Sequence, residues 1–337
     1  MRSSLLHRVL GSLRPPRTRR LSLALQGGGS HGAFSWGVLD RLLEEDIQID
    51  GLSGASAGAL NAAAVVDGWS RDGRDGAREA LARLWQTISR TLQTTPARST
   101  PLDHLLSGWN RDLSPGFLFL NRLTNMASPY ELNPSGYNPI ISIVESAFDM
   151  QRLNRREGPR LFVSMTDVRT GELVLRHNGN IDARVLAASA CLPLLFQAVE
   201  IDGRPYWDGG YTGNPALYPL LFECRAKDIY LVQFTPGDCG QAPRRVNDIV
   251  ARAREIAFHA NLSRERAFIE LLQQQGPGWR RFGQKRLRLH SIEAGESMQG
   301  LGSSSRLNTE WGFVTHLRDL GRGHMDAWLR ERAGRKS

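Results

Sequence analysis

Gly54-Ala55-Ser56-Ala57-Gly58 stands between a short apolar run and an alanine-rich one, and its reading decides the rest of the chain. A serine flanked at this spacing by glycines suits a strained turn from strand to helix, which exposes the serine oxygen as a nucleophile. The pentapeptide alone is a common pattern, so its flanks must carry the reading. Upstream, residues 21–26 form a short apolar strand that is closed by Gly27-Gly28-Gly29. From residue 32 to 45, Phe34, Trp36, Val38, Leu39, Leu42 and Leu43 recur at helical spacing. Residues 47–53 read as a second strand and residues 60–66 as a helix of the kind that packs on a sheet. The order strand, glycine loop, helix, strand, turn, helix predicts a parallel sheet covered by helices.

Beyond this unit the sequence predicts a turn-rich break over 67–75 and a helix over 77–92. Residues 94–139 are rich in prolines, glycines and exposed-looking aromatics, which suits a cap, a substrate wall or a surface loop. Strands are expected at 160–167 and 172–176, a helix at 182–190, and a hairpin over 199–206 around Asp202-Gly203. A buried strand follows at 229–234. Then come a long helix over 246–274, a basic strand over 285–292 and a last helix to about 332. No internal repeat is visible.

The formal charge of +9 is unevenly placed. Residues 1–20 carry six arginines and no acid, and residues 322–337 carry five bases against two acids, which leaves 21–321 neutral. A nucleic-acid-binding core is therefore not expected, and no nucleic-acid partner is assigned. The three cysteines, Cys191, Cys224 and Cys239, fit no metal-ligand spacing and no disulfide framework. No metal and no cofactor are expected. No apolar run is long enough to span a bilayer, and His7 and Arg8 interrupt what would be a signal-peptide core. The expectation is a cytoplasmic protein with peripheral contact to anionic membrane surfaces. That contact would come through a flexible basic arm at residues 1–20. The basic-aromatic cluster of Trp279, Arg280, Arg281, Phe282, Lys285, Arg286 and Arg288 reads either as a solvated strand face or as a second such contact.

Gly27-Gly28-Gly29-Ser30-His31-Gly32 also matches G-x-G-x-x-G, and Asp50 lies 18 residues after Gly32, as in a dinucleotide site. Against that reading, Asp50 leads into Gly51 and the serine turn. Consecutive glycines suit a different task, which is to aim free N–H groups at an oxyanion. A serine nucleophile also needs a base. None of the eight histidines sits in a context that marks it as catalytic. Asp208, followed by Gly209 and Gly210 at a strand end, can project its carboxylate into a cleft; the plain alternative is an Asp-Gly turn.

Taken together, the glycine loop, the serine elbow and the Asp-Gly-Gly motif resemble the patatin-like phospholipase family, and they occur in that family's order. Thr166-Asp167, Thr170-Gly171-Glu172 and the stretch Ala188-Ser189-Ala190-Cys191-Leu192-Pro193 extend the likeness, which covers residues 21–234. The resemblance implies a three-layer α/β/α sandwich with a mostly parallel central sheet. It would occupy residues 21–235, with residues 236–337 forming a mostly helical C-terminal extension. It further implies a serine acyl hydrolase, a lipase or phospholipase A-type esterase that acts on lipid or other acyl esters. Ser56 would be the nucleophile and Asp208 the proton acceptor, with no histidine. Gly27, Gly28 and Gly29 would form the oxyanion hole, and Gly32, Gly54, Gly58, Gly209 and Gly210 would shape the motifs. One position departs from the family pattern: His31 stands where Arg or Lys is usual. Two other readings are a histidine-dependent α/β-hydrolase using His259 or His316, and a silent lipid-binding scaffold of the same fold.

Overall fold

The computed structural model describes residues 19–93, 108–112, 114–155, 157–235, 240–274 and 287–334. Its centre is an eight-stranded sheet in the order β5-β6-β3-β2-β1-β7-β8, with β4 pairing on β3. The strands are β1 (Arg19–Leu25), β2 (Ile47–Gly54), β3 (Arg160–Asp167), β4 (Leu173–His177), β5 (Val199–Ile201), β6 (Arg204–Asp208), β7 (Asp228–Gln233) and β8 (Arg288–Glu293). The run β3-β2-β1-β7-β8 is parallel, whereas β4, β5 and β6 are antiparallel.

Alternation along the central strands builds the two outer layers. Leu21, Leu23 and Leu25 of β1 join Tyr230 and Val232 of β7 in one core. That core is closed by α1 (Gly32–Leu42), α2 (Ala57–Gln93), α5 (Pro139–Ala147), α7 (Ala183–Ser189) and α10 (Trp311–Gly334). Ala24, Ile229 and Leu231 point to the opposite face and meet α8 (Tyr218–Glu223) and α9 (Val246–Gln274). The result is a three-layer α/β/α sandwich, as expected.

Three expectations shift. The turn-rich break at 67–75 narrows to Asp72 and Gly73, which alone leave helical geometry inside α2; Gly73 takes a φ of 52°. Asp67, read as a turn residue, is fully buried and holds Arg152 at 2.8 Å. Arg19 and Arg20, placed in the basic arm, instead open β1. The Arg19 guanidinium lies 5.2 Å from the Tyr230 ring centre and Arg20 bonds to Gln48. The remaining arm, residues 1–18, lies outside the described residues, as do residues 94–107 and most of the basic-aromatic cluster. The expected basic strand begins at Arg288. In the loose region, α3 (Pro115–Met126) and α4 (Pro129–Leu132) form short helices, and α6 (Met150–Leu153) leads into β3.

Residues after 236 build part of the core. Strand β8 extends the parallel sheet beside β7, with Asp228 opposite Arg288. Helix α10 lies on α1 at backbone contact: a Cβ on Gly37 would strike the Arg318 carbonyl, and one on Gly321 the Phe34 carbonyl. Asp228 anchors this edge. Its carboxylate takes two hydrogen bonds from Arg288, at 2.8 and 2.6 Å, and one contact from His290 at 2.6 Å. Burial pushes that carboxyl up, but Arg288 and His290 outweigh it and hold it well below the usual carboxylate range.

Candidate active site

The motif residues converge at the C-terminal ends of β1, β2 and β6, where open α/β sheets place their ligands. Ser56 lies between β2 and α2 with φ at 52° and is 8% exposed. A serine in this left-handed region is strained, and the surrounding contacts must enforce it. They do so tightly. Gly54 packs on the Gly58 carbonyl at a distance that leaves no room for a Cβ, and Gly58 packs likewise on the Leu25 carbonyl. The Ser56 N–H donates to the Ser189 carbonyl at 3.1 Å and to the Ser189 hydroxyl at 3.0 Å.

Asp208 ends β6 and is fully buried. Its N–H donates to the Cys191 carbonyl at 2.9 Å, and its own carbonyl accepts from the Thr166 hydroxyl at 2.8 Å. The segment 189–191 therefore grips both Ser56 and Asp208. Asp167 caps the turn after β3 through the N–H groups of Arg169 and Thr170, and it pairs with Arg204 of β6 at 3.2 Å. These contacts give a physical role to the secondary motifs read from the sequence.

The two carboxylate oxygens of Asp208 differ. Oδ1 accepts the Gly210 N–H at 2.7 Å, whereas buried Oδ2 makes no hydrogen bond of ordinary length and angle. Burial pushes the acid up to about 7; the Gly210 N–H and the nearby Ser56 hydroxyl oppose that rise without cancelling it. A carboxylate with this proton affinity is a far better base than an ordinary one. Cys191, the nearest thiol, is pushed up to about 12 by burial and by Asp208, so it is not a competing nucleophile.

The glycine loop is arranged differently from the expectation in one respect. Gly27 N–H donates to Asn214 Oδ1 at 2.7 Å in a buried contact, so this group is engaged. The N–H groups of Gly28 and Gly29 have no acceptor among the described residues. The same is true of the Ala57 N–H at the start of α2. Sequence reading did not name this donor, although an elbow offers the N–H after its serine for this purpose. It also missed Asn214 and gave Ser189 no role beyond its place in a motif, because the partners of both are remote in sequence.

His31 is buried and shares a 2.8 Å hydrogen bond with the Ser305 hydroxyl. Burial first, and then nearby Arg306, lower it to about 3, so it is neutral at physiological pH. Arg306 follows Ser305 in a 3-10 turn (Ser303–Leu307), and its carbonyl packs directly on Gly29. The guanidinium bonds to Glu255 of α9 at 3.0 Å. A cation thus stands beside the glycine loop although the loop itself carries none. His259 faces Gln26 at 3.4 Å and His316 stacks on Trp109. None of the described histidines hydrogen-bonds to Ser56 or Asp208. Asp50 receives the N–H groups of Arg225 and Ala226 and so caps the turn before β7; it has no part in a nucleotide site.

The family model described as patatin-like phospholipase matches residues 23–221. The chain belongs to the patatin-like phospholipase family. This is a family of lipid acyl hydrolases. No curated protein matches the chain significantly. Among solved structures, VipD from Legionella pneumophila is similar at 14% identity and a TM-score of 0.40, over 94% of this chain and 67% of VipD. The type III effector ExoU is similar at 15% identity and a TM-score of 0.36, over 94% of this chain and 54% of ExoU. ExoU bound to SpcU, from Pseudomonas aeruginosa, gives 14% and 0.37, over 94% and 52%. The chain thus spans about half the length of ExoU, and likeness at these scores carries no argument about activity.

Proposed function

We propose that the protein is a serine acyl hydrolase of lipid esters working through Ser56 and Asp208. The observation that carries this reading is the pairing of a strained serine elbow with a fully buried aspartate whose free oxygen, Oδ2, has no other partner. In the first half-reaction the Ser56 hydroxyl oxygen attacks the ester carbonyl and its proton passes to Asp208 Oδ2. The N–H groups of Gly28, Gly29 and Ala57 receive the oxyanion, and the α2 N-terminus adds its positive end. Collapse of the tetrahedral intermediate releases the alcohol, which takes the proton from Asp208. Water then attacks the acyl-serine, gives its proton to Asp208, and the fatty acid leaves as Ser56 recovers its proton.

Gly27 has a positioning role in this scheme. Its N–H ties the loop to Asn214, and its Cα lies against the Ala55 carbonyl and Ser56 Cβ at a spacing that admits no side chain. The family implies phospholipid as the substrate; other hydrophobic esters meet the same chemistry. A fluorophosphonate probe should label the wild-type protein and leave Ser56→Ala unlabelled, and strong labelling of that variant would remove the nucleophile assignment. Hydrolysis of phospholipids, acylglycerols and short p-nitrophenyl esters, with Ser56→Ala as the blank, then sets the substrate class.

A further inference from the structure

Helix α9 has its amphipathic faces in an unusual arrangement. Its inner side is fully used: Leu262 and Ile269 are buried in the second core. Phe258 packs on Gly210 and lies 4.6 Å from the Tyr211 ring centre, and Asn261 donates to the Tyr211 carbonyl at 3.2 Å. Glu255 holds Arg306, and Glu265 receives the N–H groups of Leu217 and Tyr218 at 2.6 and 3.0 Å. A surface helix with this inner face normally turns charges outward. Here the outer face is apolar instead.

At 3.6 residues per turn, Val246, Ile249, Val250, Ile256, Phe268 and Leu271 fall within one arc of about 120°. All six are exposed, between 42% and 76%. The residues between them on that arc are alanines, and the single charge is Arg264, also exposed. Arg254 flanks the arc on one side and Arg252 and the exposed Glu270 on the other, while Asp248, Glu255 and Glu265 lie on the far half of the helix. At the rim, Phe117, Leu118 and Asn121 of α3 share a cavity of about 490 Å³ with Asp248 and Arg252 of α9. The neighbouring Phe119 of α3 is 67% exposed. An apolar surface of this extent marks a site of association.

We infer that the outer face of α9 is the surface by which this protein lies on an anionic lipid bilayer. Charge complementarity selects the occupant. Anionic headgroups would meet Arg264 and Arg254, whereas a second copy of the same face would set these arginines against their like. The choice of lipid rests on the acyl hydrolase reading. The geometry adds a reason, because the inner side of the same helix touches Gly210, two residues from Asp208. Docking on α9 brings the bilayer to within one helix diameter, about 10 Å, of the site. This places a membrane contact on α9 itself.

The test is flotation of the full chain with phosphatidylcholine vesicles, with and without phosphatidylglycerol. Wild type should float with the anionic vesicles, and Ile256→Asp/Phe268→Asp should lose at least about tenfold in bound fraction. The double variant should hydrolyse a soluble p-nitrophenyl ester within about twofold of wild type, since neither side chain reaches the site. Arg264→Glu, which removes no apolar surface, should lose binding to anionic vesicles severalfold, and most at low salt. Absence of wild-type binding, or undiminished binding by the double variant, overturns the inference. So does a wild-type dimer in light scattering that the double variant turns into monomer, because the face would then belong to a second copy. Ser56→Ala should float like wild type, so a protein that binds vesicles yet hydrolyses nothing would overturn the hydrolase reading alone.

Discussion

Ser189 receives the backbone N–H of Ser56 twice, through its carbonyl at 3.1 Å and through its hydroxyl at 3.0 Å, across 133 residues of chain. This bracket holds the strained serine in its positive-φ conformation from outside the elbow. Ser189→Ala keeps the carbonyl and removes the hydroxyl. We expect a loss of about 1 kcal/mol in urea unfolding and a fall of roughly tenfold in kcat, with KM little changed. An unchanged kcat would mean that the elbow needs no support from α7.

Asn214 plays the corresponding part for the glycine loop. In Asn214→Ala the Gly27 N–H stays buried without an acceptor, at a cost of roughly 1–3 kcal/mol. The loop that carries Gly28 and Gly29 loses its tether at the same time. The variant should remain folded with a lower melting temperature, and kcat should drop by about ten- to a hundredfold. Loss of stability with full activity would separate the tether from the chemistry.

Asp208 makes a prediction about pH. As a base it must be ionised, so kcat/KM for a soluble ester should rise with pH through one ionisation near its value of about 7 and level off above. Stability moves the opposite way. The folded acid binds its proton more tightly than the unfolded one, so native stability falls as pH rises from about 4 to about 7. The full loss is on the order of 4 kcal/mol. Asp208→Asn, inactive, should therefore be more stable than wild type by a margin that grows over this interval and is constant above it. Thermal denaturation at several pH values measures the margin directly.

His31 and Arg306 form a coupled pair. Replacing His31 with the arginine usual in the family would bury a second cation beside Arg306, so His31→Arg should lose roughly 3 kcal/mol. Arg306→Gln in the same chain removes the conflict. The double variant should be more stable than the sum of the two single changes by at least about 1 kcal/mol in a double-mutant cycle. Simple additivity would mean that the two side chains do not share one electrostatic site.

Much of this site could be read from the chain because its parts are local. The β1 leucines alternate, the apolar residues of α1 follow a helical period, and the glycines around Ser56 stand where a tight elbow needs them. The contacts that decide which N–H groups are free are of another kind. Gly27 and Asn214 are 187 residues apart, and His31 meets Ser305 across 274. Such pairings follow from how the sheet is assembled, and no periodicity announces them. The predicted break is real, at Asp72 and Gly73, but where it begins was hidden for a similar reason. Asp67 and Gly68 look like turn residues, but the ion pair of Asp67 with Arg152 and the contact of Gly68 with Gly76 lie in tertiary structure. For α9 the sequence predicted the helix, but which side meets the sheet was decided by its partners.

The span that carries the family signature ends at residue 221, before β7 begins. Strand β1, which delivers the glycine loop, is hydrogen-bonded on one side to β2 and on the other to β7. A fragment trimmed to the signature would leave that second side of β1 bare, an adhesive edge at the middle of the native sheet. It would also strip α1 of the helix that lies across it. The hereditary unit and the mechanical unit of this protein are therefore different lengths of chain. The residues after 221 close the fold around chemistry encoded before them.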